Sequence, residues 1–390
     1  LALMLSALPL LSHATDIDVA DANGNVLRYQ YSGTGPASVT QLVSLSEDVS
    51  LAGRLIIPAT ITDVDEVTHD VTAIYSNAFY SNGDIVSVTF PASLTTVGEN
   101  AFKDCTSLTS VTGGEGLTTL GNSCFMNTRL TKAFIPDAVT TIESNVFRDI
   151  PTLQTVVFGP NVASISTSQF RHYSDDPMTA TRWVFNGTYT SIPAGFLDGK
   201  SHVTEVVLGQ QITSIGNYAF RGTGLSSISL PEGLLSIGEY AFQGCNSLTA
   251  MTFDAGLQSI GRYAFTGCQA LAAIDLQGAV VSLGDYAFQN CTSLAEIVIP
   301  QSVTKINNYV FYGCTALKDV SIADRNTILT LGSNGSSPLF SSCPLETVYI
   351  GGNISYSTAS NYGNSPFYRN TSLRTVVITD RETEISANEF

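Results

Sequence analysis

One eight-residue phrase recurs along this chain at a nearly constant interval. Its clearest copies are GEYAFQGC at 238–245, GRYAFTGC at 261–268, GDYAFQNC at 284–291 and NNYVFYGC at 307–314. The Phe of the phrase marks fourteen places: Phe79, Phe102, Phe125, Phe147, Phe170, Phe196, Phe220, Phe242, Phe265, Phe288, Phe311, Phe340, Phe367 and Phe390. The commonest interval is 23 residues. A unit this short cannot cover its own apolar face, so successive units must stack as rungs of a solenoid.

One complete repeat, residues 248–268, shows how each interval is divided into three parts. In the first part Met251 and Phe253 alternate with Ala250 and Thr252, and this period of two predicts a short strand with one inward face. The same alternation recurs at Val88/Phe90, Val156/Phe158, Ile228/Leu230, Ile297/Ile299 and Val376/Ile378. Proline often ends this strand, because it has no N–H group for the ladder: Pro58, Pro91, Pro136, Pro231 and Pro300.

The second and third parts of the repeat are LxxIG and the phrase xYAFxGC. The Gly position is held by Gly98, Gly121, Gly216, Gly238, Gly261, Gly284 and Gly332. Because Glu143 and Ser166 fill the same position in their repeats, we expect close approach of neighbouring rungs there rather than a required positive φ. The phrase YAFxGC is too short for a stable helix. It predicts a single 3₁₀ or α turn that points Ala, Phe and Cys inward.

The repeat LxxIxLPxxLxxIGxxAFxGC resembles the BspA-like, or treponemal-type, leucine-rich repeat of bacterial surface proteins. The resemblance covers about residues 51–390, or about 14 units, although Pro or a polar residue stands where the common leucine-rich consensus has Asn or Cys. It implies a β-rich solenoid of 23-residue units, with parallel strands on one face and short 3₁₀ or extended segments on the other. It also implies export or surface display, and adhesion to host proteins or other cells.

The segments outside the repeat predict export and an N-terminal cap. Residues 1–14 combine an apolar run with small residues before a cleavage site, which indicates a partial signal peptide. Residues 15–50 predict a β cap with a hairpin turn at Asn23-Gly24. No other segment is as apolar as a membrane helix, so we expect no membrane insertion. The chain stops in mid-repeat at Phe390, which predicts further repeats or an anchor beyond it.

The sequence contains no recognisable catalytic, metal or cofactor motif. Three acidic residues near the start, Asp16, Asp18 and Asp21, fit no complete calcium loop. The insertion DVDEVTHD at 63–70 is interpreted as a solvated acidic loop or small hairpin rather than a cation site. His172 is interpreted as a loop residue. Most of the seven cysteines fall once per rung at an inward position, which predicts free thiols that act as small filler and weak donors.

Three groups of residues are candidates for binding. The outward positions of the first strands include Glu205, Asp275, Glu296, Asp319 and Tyr349. Two adjacent long repeats, 311–340 and 340–367, place Tyr349, Tyr356 and Tyr362 among Ser, Asn and Gly, a composition typical of adaptable contact surfaces or of mere decoration. A Tyr column contains Tyr240, Tyr263 and Tyr286, between Tyr218 and Tyr309. It is either a contact stripe for a glycan or protein, or rung-to-rung packing, and packing is favoured.

The sequence therefore predicts an exported surface or secreted protein that binds a host or cell-surface protein or glycan without catalysis. A net charge of −16 argues against nucleic acid as a partner, because phosphate is repelled. The alternative is a structural spacer that presents another module. An enzyme acting on glycans is disfavoured, because no pair of catalytic carboxylates can be identified.

Overall fold

The computed structural model describes residues 15–21, 23–32, 35–43, 53–165, 179–254, 256–276, 280–332, 339–356, 365–368 and 370–379. The predicted signal peptide, His172, Tyr362 and the marks Phe170 and Phe390 lie outside these ranges. The described residues form a β-solenoid of about 11 turns with roughly 23-residue spacing. None of them forms a helix with the length and apolar character needed to cross a membrane.

The chain divides into two compact bodies. The N-terminal body comprises residues 1–154, 161–164 and 168–179, and the C-terminal body comprises residues 155–160, 165–167 and 180–390. The N-terminal body contains β1 (Thr15–Ala20), β2 (Val26–Tyr31), β3 (Ala37–Val43), β4 (Arg54–Ile56), β5 (Thr60–Thr62), β6 (Thr68–Ile74), β7 (Ser87–Phe90), β8 (Thr96–Val97), β9 (Ser110–Gly113), β10 (Thr119–Leu120) and β11 (Thr141–Ile142).

The N-terminal body begins with the expected β cap. Strands β1 and β2 pair antiparallel around the Asn23-Gly24 turn, where Gly24 has a φ of 83°. Strand β3 pairs antiparallel with β2 and parallel with β6, and so joins the cap to the ladder of rungs. Strands β4, β7 and β9 then form one parallel sheet, and β6, β8, β10 and β11 continue the other. The insertion at 63–70 is a small hairpin, because β5 pairs antiparallel with β6.

The C-terminal body contains β12 (Thr155–Phe158), β13 (Arg182–Phe185), β14 (Ser191–Ile192), β15 (Glu205–Val207), β16 (Ser214–Ile215), β17 (Ser236–Ile237), β18 (Ala250–Phe253), β19 (Ser259–Ile260), β20 (Ala273–Leu276), β21 (Ser282–Leu283), β22 (Glu296–Ile299), β23 (Lys305–Ile306), β24 (Asp319–Ile322), β25 (Leu329–Leu331), β26 (Thr347–Ile350), β27 (Ile354–Tyr356) and β28 (Thr375–Ile378).

All strand pairs of the C-terminal body are parallel and join equivalent positions of successive rungs. The first strands of the repeats form three sheets, β12-β13-β15, β18-β20 and β22-β24-β26-β28. The second strands form one sheet of eight, β14-β16-β17-β19-β21-β23-β25-β27. One predicted strand is absent: residues 226–230, with Ile228 and Leu230, form none. That repeat is one residue shorter between Phe220 and Leu225 than the next is between Phe242 and Leu248.

The turns formed by the phrase YAFxGC also hydrogen-bond from rung to rung, in addition to the ladders of the first and second strands. The shortness of the phrase did not predict this third ladder. Turns with bonds three residues back are present as expected, for example from Lys103 N–H to the Asn100 carbonyl at 3.1 Å. The intervening Phe102 N–H instead donates to the Cys124 carbonyl of the next rung, at 2.8 Å. This alternation requires left-handed residues in each rung, such as Asn100 with a φ of 54° and Asp104 with a φ of 62°.

The core consists of columns of identical side chains. Phe rings of successive rungs stack, with centroids 5.0 Å apart for Phe242 and Phe265 and 5.3 Å apart for Phe265 and Phe288. The assignment of Phe196 to the Phe series was wrong. Leu197 occupies the Phe position of that rung, because its N–H donates a hydrogen bond to the Ala219 carbonyl of the next rung. Both side chains are buried, so the apolar pattern alone could not separate them.

The Gly and Cys columns behave as predicted. Gly261 has no positive φ, but a Cβ there would lie 2.6 Å from the backbone of Gly238, so close approach of rungs excludes larger side chains. All seven cysteines are free and buried. The thiol of Cys268 donates to the Phe242 carbonyl of the preceding rung at 3.1 Å, and five others make the same bond: Cys105, Cys245, Cys291, Cys314 and Cys343.

Candidate functional site

The sheet β22-β24-β26-β28 brings together three of the predicted binding residues. Glu296 and Asp319 are register partners on neighbouring strands, and Tyr349 lies one strand further along the same sheet. The strands alternate buried and outward positions, so all three side chains belong to the outer face. Tyr349 is half-buried, and its hydroxyl donates to Asp324 Oδ1 at 2.9 Å.

Two rows of side chains run across this face, and we call them the acidic row and the apolar row. The acidic row starts with Glu296 and Asp319 and continues through Thr347 and Thr375. The apolar row consists of the register partners Val298, Ser321, Tyr349 and Val377. Val298 and Val377 are 56% and 42% exposed, which is high for aliphatic side chains of a sheet. The outer face therefore offers apolar contact area directly beside carboxylates.

A salt bridge borders the acidic row. Lys318 Nζ lies 2.8 Å from Glu346 Oε1, and both side chains are about half exposed. Hydrogen bonding to Glu346 raises the pKa of Lys318, and the same bond lowers the pKa of Glu346. The strongest contact of Lys318 is therefore with Glu346, and not with Glu296 or Asp319 of the acidic row.

The remaining outward carboxylates lie on other sheets. Asp275 is exposed on β20, which pairs with β18 in a sheet of two strands. Glu205 lies on β15, where its Oε1 accepts a hydrogen bond from Arg182 Nε at 2.8 Å. The structure therefore groups Glu296, Asp319 and Tyr349, and it places Glu205 in a separate ion pair.

The described parts of the two long repeats contain strands. Tyr349 belongs to β26 and Tyr356 to β27, and Tyr356 is the register partner of Leu331 in the sheet of second strands. The two tyrosines therefore lie on different sheets and share no face. Strand β25 keeps its parallel pairing with β23 and β27, and Leu329 and Leu331 of β25 are buried in the core.

The Tyr column is a continuous aromatic stack. Ring centroids are 4.8 Å apart from Tyr218 to Tyr240 and from Tyr240 to Tyr263, and 4.6 Å apart from Tyr263 to Tyr286 and from Tyr286 to Tyr309. Each of the five residues has a left-handed φ, between 56° and 60°. Both faces of the three central rings are covered by neighbouring rings. A sugar stacks on an open ring face, so these rings present only edges and hydroxyls outward.

Arginines lie against the Tyr column. The guanidinium of Arg262 is 4.7 Å from the Tyr263 ring centroid and 6.0 Å from that of Tyr286. The guanidinium of Arg221 is 4.9 Å from the Tyr218 ring. Burial raises the pKa of Tyr240 and of Tyr286, with further contributions from the neighbouring phenols. The rings of the column contact one another and the two arginines, which agrees with the interpretation as rung-to-rung packing.

The sequence analysis missed a buried ion pair in the N-terminal body. His69 Nε2 lies 3.0 Å from Asp63 Oδ2, and His69 Nδ1 lies 2.8 Å from the Gly35 carbonyl. The Gly35 carbonyl and the Asp63 carboxylate both accept hydrogen bonds, and the bond with Asp63 raises the pKa of His69, which favours the imidazolium form. The side chain of Asp63 is 5% exposed, so the interpretation of 63–70 as a solvated loop is wrong for Asp63. The alternation of His69 with Val71 in β6 was the available signal.

Two of the acidic residues near the start of the chain, Asp18 and Asp21, have protein partners in the structure. Asp18 forms an ion pair with Arg28 at 2.8 Å. Asp21 accepts hydrogen bonds from the backbone of Asn23, Asn25 and Ile56 and so anchors the cap to β4. Among the residues that the structure describes, no group of three or more His, Cys, Asp or Glu side chains could hold a metal ion.

Comparisons with known proteins agree with the repeat. The model of the BspA type leucine rich repeat region matches in six copies, at residues 72–176, 190–318 and 281–390. A leucine-rich repeat protein from Bacteroides ovatus is similar in structure, with 18% identity, a TM-score of 0.48, and coverage of 90% of this chain and 98% of that one.

Two further solved structures are similar. A leucine rich cell surface protein from Faecalibacterium prausnitzii shares 20% identity, with a TM-score of 0.36 and coverage of 96% and 99%. The pneumococcal vaccine antigen PcpA shares 18% identity, with a TM-score of 0.34 and coverage of 94% of both chains. No curated protein sequence matches the chain. Because the family model matches well over half of its residues, the chain belongs to the BspA type leucine rich repeat family.

Proposed function

We propose that this chain is an exported, non-catalytic binding protein that recognises a protein ligand at a cell surface, through the outer face of β22, β24, β26 and β28. The observation that carries the proposal is the apolar row lying in register beside the acidic row. The apolar start of the chain, followed by the small residues Ser12 and Ala14, supports export.

The apolar row favours a macromolecular partner. Val298 and Val377 stay largely exposed although the strands around them bury every inward side chain of β22 and β26. Burying such side chains against a ligand is favourable by about 25 cal/mol per Å² of apolar area. Tyr349 lies between them and supplies the large amphipathic side chain that is enriched at protein interfaces.

The acidic row indicates the charge of the ligand. Glu296 and Asp319 occupy directly opposed positions on neighbouring strands, and like charges in such positions destabilise a sheet. A Lys or Arg side chain from a ligand would relieve this repulsion. The expected ligand is therefore an extended protein segment that combines basic with apolar residues, lying across the parallel strands.

The test measures binding of the purified mature chain to immobilised extracellular matrix proteins and mucin glycans. For a ligand that binds, Tyr349→Ala is expected to weaken the affinity about tenfold, since central aromatic truncations cost roughly 1–2 kcal/mol or more. The double variant Glu296→Gln/Asp319→Asn should weaken binding at low salt and make the affinity less dependent on salt.

The matched control is Glu205→Gln, which removes one exposed carboxylate from a different sheet. Its binding should equal that of the unchanged chain. If Tyr349→Ala and the acidic double variant bind as well as the control, the outer face of this sheet is not the site. If the chain binds only glycans, with no salt dependence, the protein ligand is wrong. Failure to bind any immobilised ligand would favour the structural spacer.

A further inference from the structure

We propose that the Tyr column is an oxidative modification site, at which phenols of neighbouring rungs couple to dityrosine and staple the rungs covalently. This site is separate from the proposed binding face and does not depend on it. The supporting observation is the geometry of five phenols, Tyr218, Tyr240, Tyr263, Tyr286 and Tyr309, stacked with centroids 4.6–4.8 Å apart.

The phenols are both close to one another and open to solvent. All five are neither fully buried nor fully exposed, and neighbouring rings are within 18° of parallel. Their faces are covered, so a small oxidant meets the ring edges and hydroxyls, which are the parts that react. Carbon–carbon coupling requires two neighbouring rings to turn until their ortho carbons meet, and the partial exposure of these side chains leaves part of each ring at the surface.

The reaction balances with hydrogen peroxide as the oxidant and a haem peroxidase as the catalyst. Each of two phenols loses one electron and one proton and becomes a phenoxyl radical. The radicals join through the carbons ortho to their oxygens, and the two ortho hydrogens then move to the oxygens and restore the phenols. The two electrons and two protons reduce one hydrogen peroxide to two water molecules.

The cysteines cannot supply this staple. Thiol reactivity follows exposure and thiolate character, and every thiol of the chain is buried. Burial raises the pKa of Cys245 to about 11 and that of Cys105 to about 12. The thiols also donate to Phe carbonyls of the preceding rung. The phenol column is thus the repeated side chain at which rungs of the C-terminal body can be joined.

The positions of the arginines indicate which pairs couple first. A guanidinium near a ring opposes removal of an electron, and Arg221 and Arg262 lie closest to Tyr218 and Tyr263. The pair Tyr286 and Tyr309 has a centroid distance of 4.6 Å, and the nearer arginine, Arg262, is 6.0 Å from Tyr286. We expect cross-linking to begin at this pair.

The experiment treats the dilute chain with horseradish peroxidase and limiting hydrogen peroxide and follows dityrosine fluorescence. Intact mass spectrometry should show a monomer lighter by two hydrogen atoms per cross-link. A Tyr286–Tyr309 cross-link should join the tryptic peptides 263–305 and 306–318. The cross-linked chain should also unfold at a higher temperature than the untreated chain.

Three controls make the outcome decisive. Tyr286→Phe keeps an aromatic ring in the stack but removes the hydroxyl of residue 286. The cross-linked peptide pair 263–305 with 306–318 should then disappear. Replacing all five tyrosines with Phe should reduce monomeric dityrosine to the level of urea-unfolded protein. Tyr75→Phe/Tyr80→Phe removes two phenols that are 46% and 48% exposed and should change nothing. Equal yields in the folded and unfolded chain, or loss of yield in the Tyr75/Tyr80 variant alone, would overturn the proposal.

Discussion

The same backbone position carries different side chains in the two bodies. In the described rungs from Asn77 to Tyr309, the residue two before the inward Phe or Leu has a left-handed φ, and in the N-terminal body it is Asn77, Asn100, Ser123 or Asn145. In the C-terminal body it is Gly195 and then five successive tyrosines, Tyr218, Tyr240, Tyr263, Tyr286 and Tyr309. Asn and Gly tolerate this conformation, whereas a bulky side chain does so at a cost of about 1–3 kcal/mol.

The difference shows how a column can offset local strain that a single residue cannot. One Tyr at this position would have the cost without compensation. Each further Tyr adds a stacked pair, and aromatic pairs contribute about 0.5–1.5 kcal/mol beyond the area that they bury. A run of Tyr therefore offsets part of its own strain, which a single Tyr cannot do, and Tyr occurs here as a run of five.

The largest effect is expected from Tyr263→Val. The substitution removes the stacked contacts with Tyr240 and Tyr286 and places a β-branched residue at a φ of 56°. We expect the free energy of unfolding to fall by about 3 kcal/mol. Urea denaturation followed through the fluorescence of Trp183, the single tryptophan, reports on the C-terminal body. Tyr263→Gly removes the same contacts without strain, so a Gly variant less stable than the Val variant would contradict the left-handed assignment.

A smaller loss is expected from Tyr263→Asn, which imports the residue of the N-terminal body. The stacked pairs are lost, but Asn tolerates the left-handed φ, so the net destabilisation should be about 1 kcal/mol. Combining it with Tyr240→Asn tests the column directly. The sum of the stability losses of the two single variants should exceed the loss of the double variant, because Tyr240 and Tyr263 share one stacked contact. Strict additivity would mean that stacking contributes nothing.

The converse substitution, Asn100→Tyr, asks whether the N-terminal body can accept a single Tyr. Asn100 has Asn77 and Ser123 at the equivalent positions of the adjacent rungs, so the new ring gains no aromatic neighbour. We expect a destabilisation of about 1 kcal/mol, measured as faster amide exchange in rungs 96–105. Adding Asn77→Tyr should return part of that loss. A double variant that is as unstable as the sum of the two single variants would refute the compensation argument.

The repeat period made the inward columns predictable, because Phe265, Cys268 and Gly261 recur where stacking leaves no alternative. The period did not reveal that Tyr263 is left-handed, since Tyr rarely adopts that conformation alone and the stabilising contact comes from another rung. It also could not separate Phe196 from Leu197, because both fit an inward apolar position. Which of two adjacent apolar residues pairs with the next rung depends on backbone hydrogen bonds, and these cannot be inferred from the side chains alone.

The candidate binding face was predictable only as a set of outward positions. Alternation in the first strands identified Glu296, Asp319 and Tyr349 as outward, and parallel stacking then brought them together. Val298 lies two residues after Glu296, so the same alternation also predicts an outward position for it, although a Val in a strand is ordinarily interpreted as core. Arg182 and Glu205 are 23 residues apart, which is one repeat period, so the spacing alone could have indicated their contact across neighbouring strands, although it was not predicted.

The smallest expected effect concerns pH: the stability of the two bodies should change in opposite directions as the pH rises. In the N-terminal body, Asp63 and the Gly35 carbonyl raise the pKa of His69. The stability from this contact is therefore fully present below the unfolded pKa of about 6.5 and is lost as the pH rises through the folded pKa. The pKa of Asp63 is lowered, chiefly by its hydrogen bond with His69, so the same contact is also lost at strongly acidic pH.

In the C-terminal body, burial lowers the pKa of His202, so its contribution has the opposite sign and is lost as the pH falls below about 6.5. Raising the pH from mildly acidic to mildly alkaline should thus speed amide exchange around β6 and slow the urea unfolding reported by Trp183. His69→Gln should abolish the first response and leave the second. A response of the same sign in both bodies, unchanged in His69→Gln, would show that His69 is not held as an imidazolium between Asp63 and Gly35.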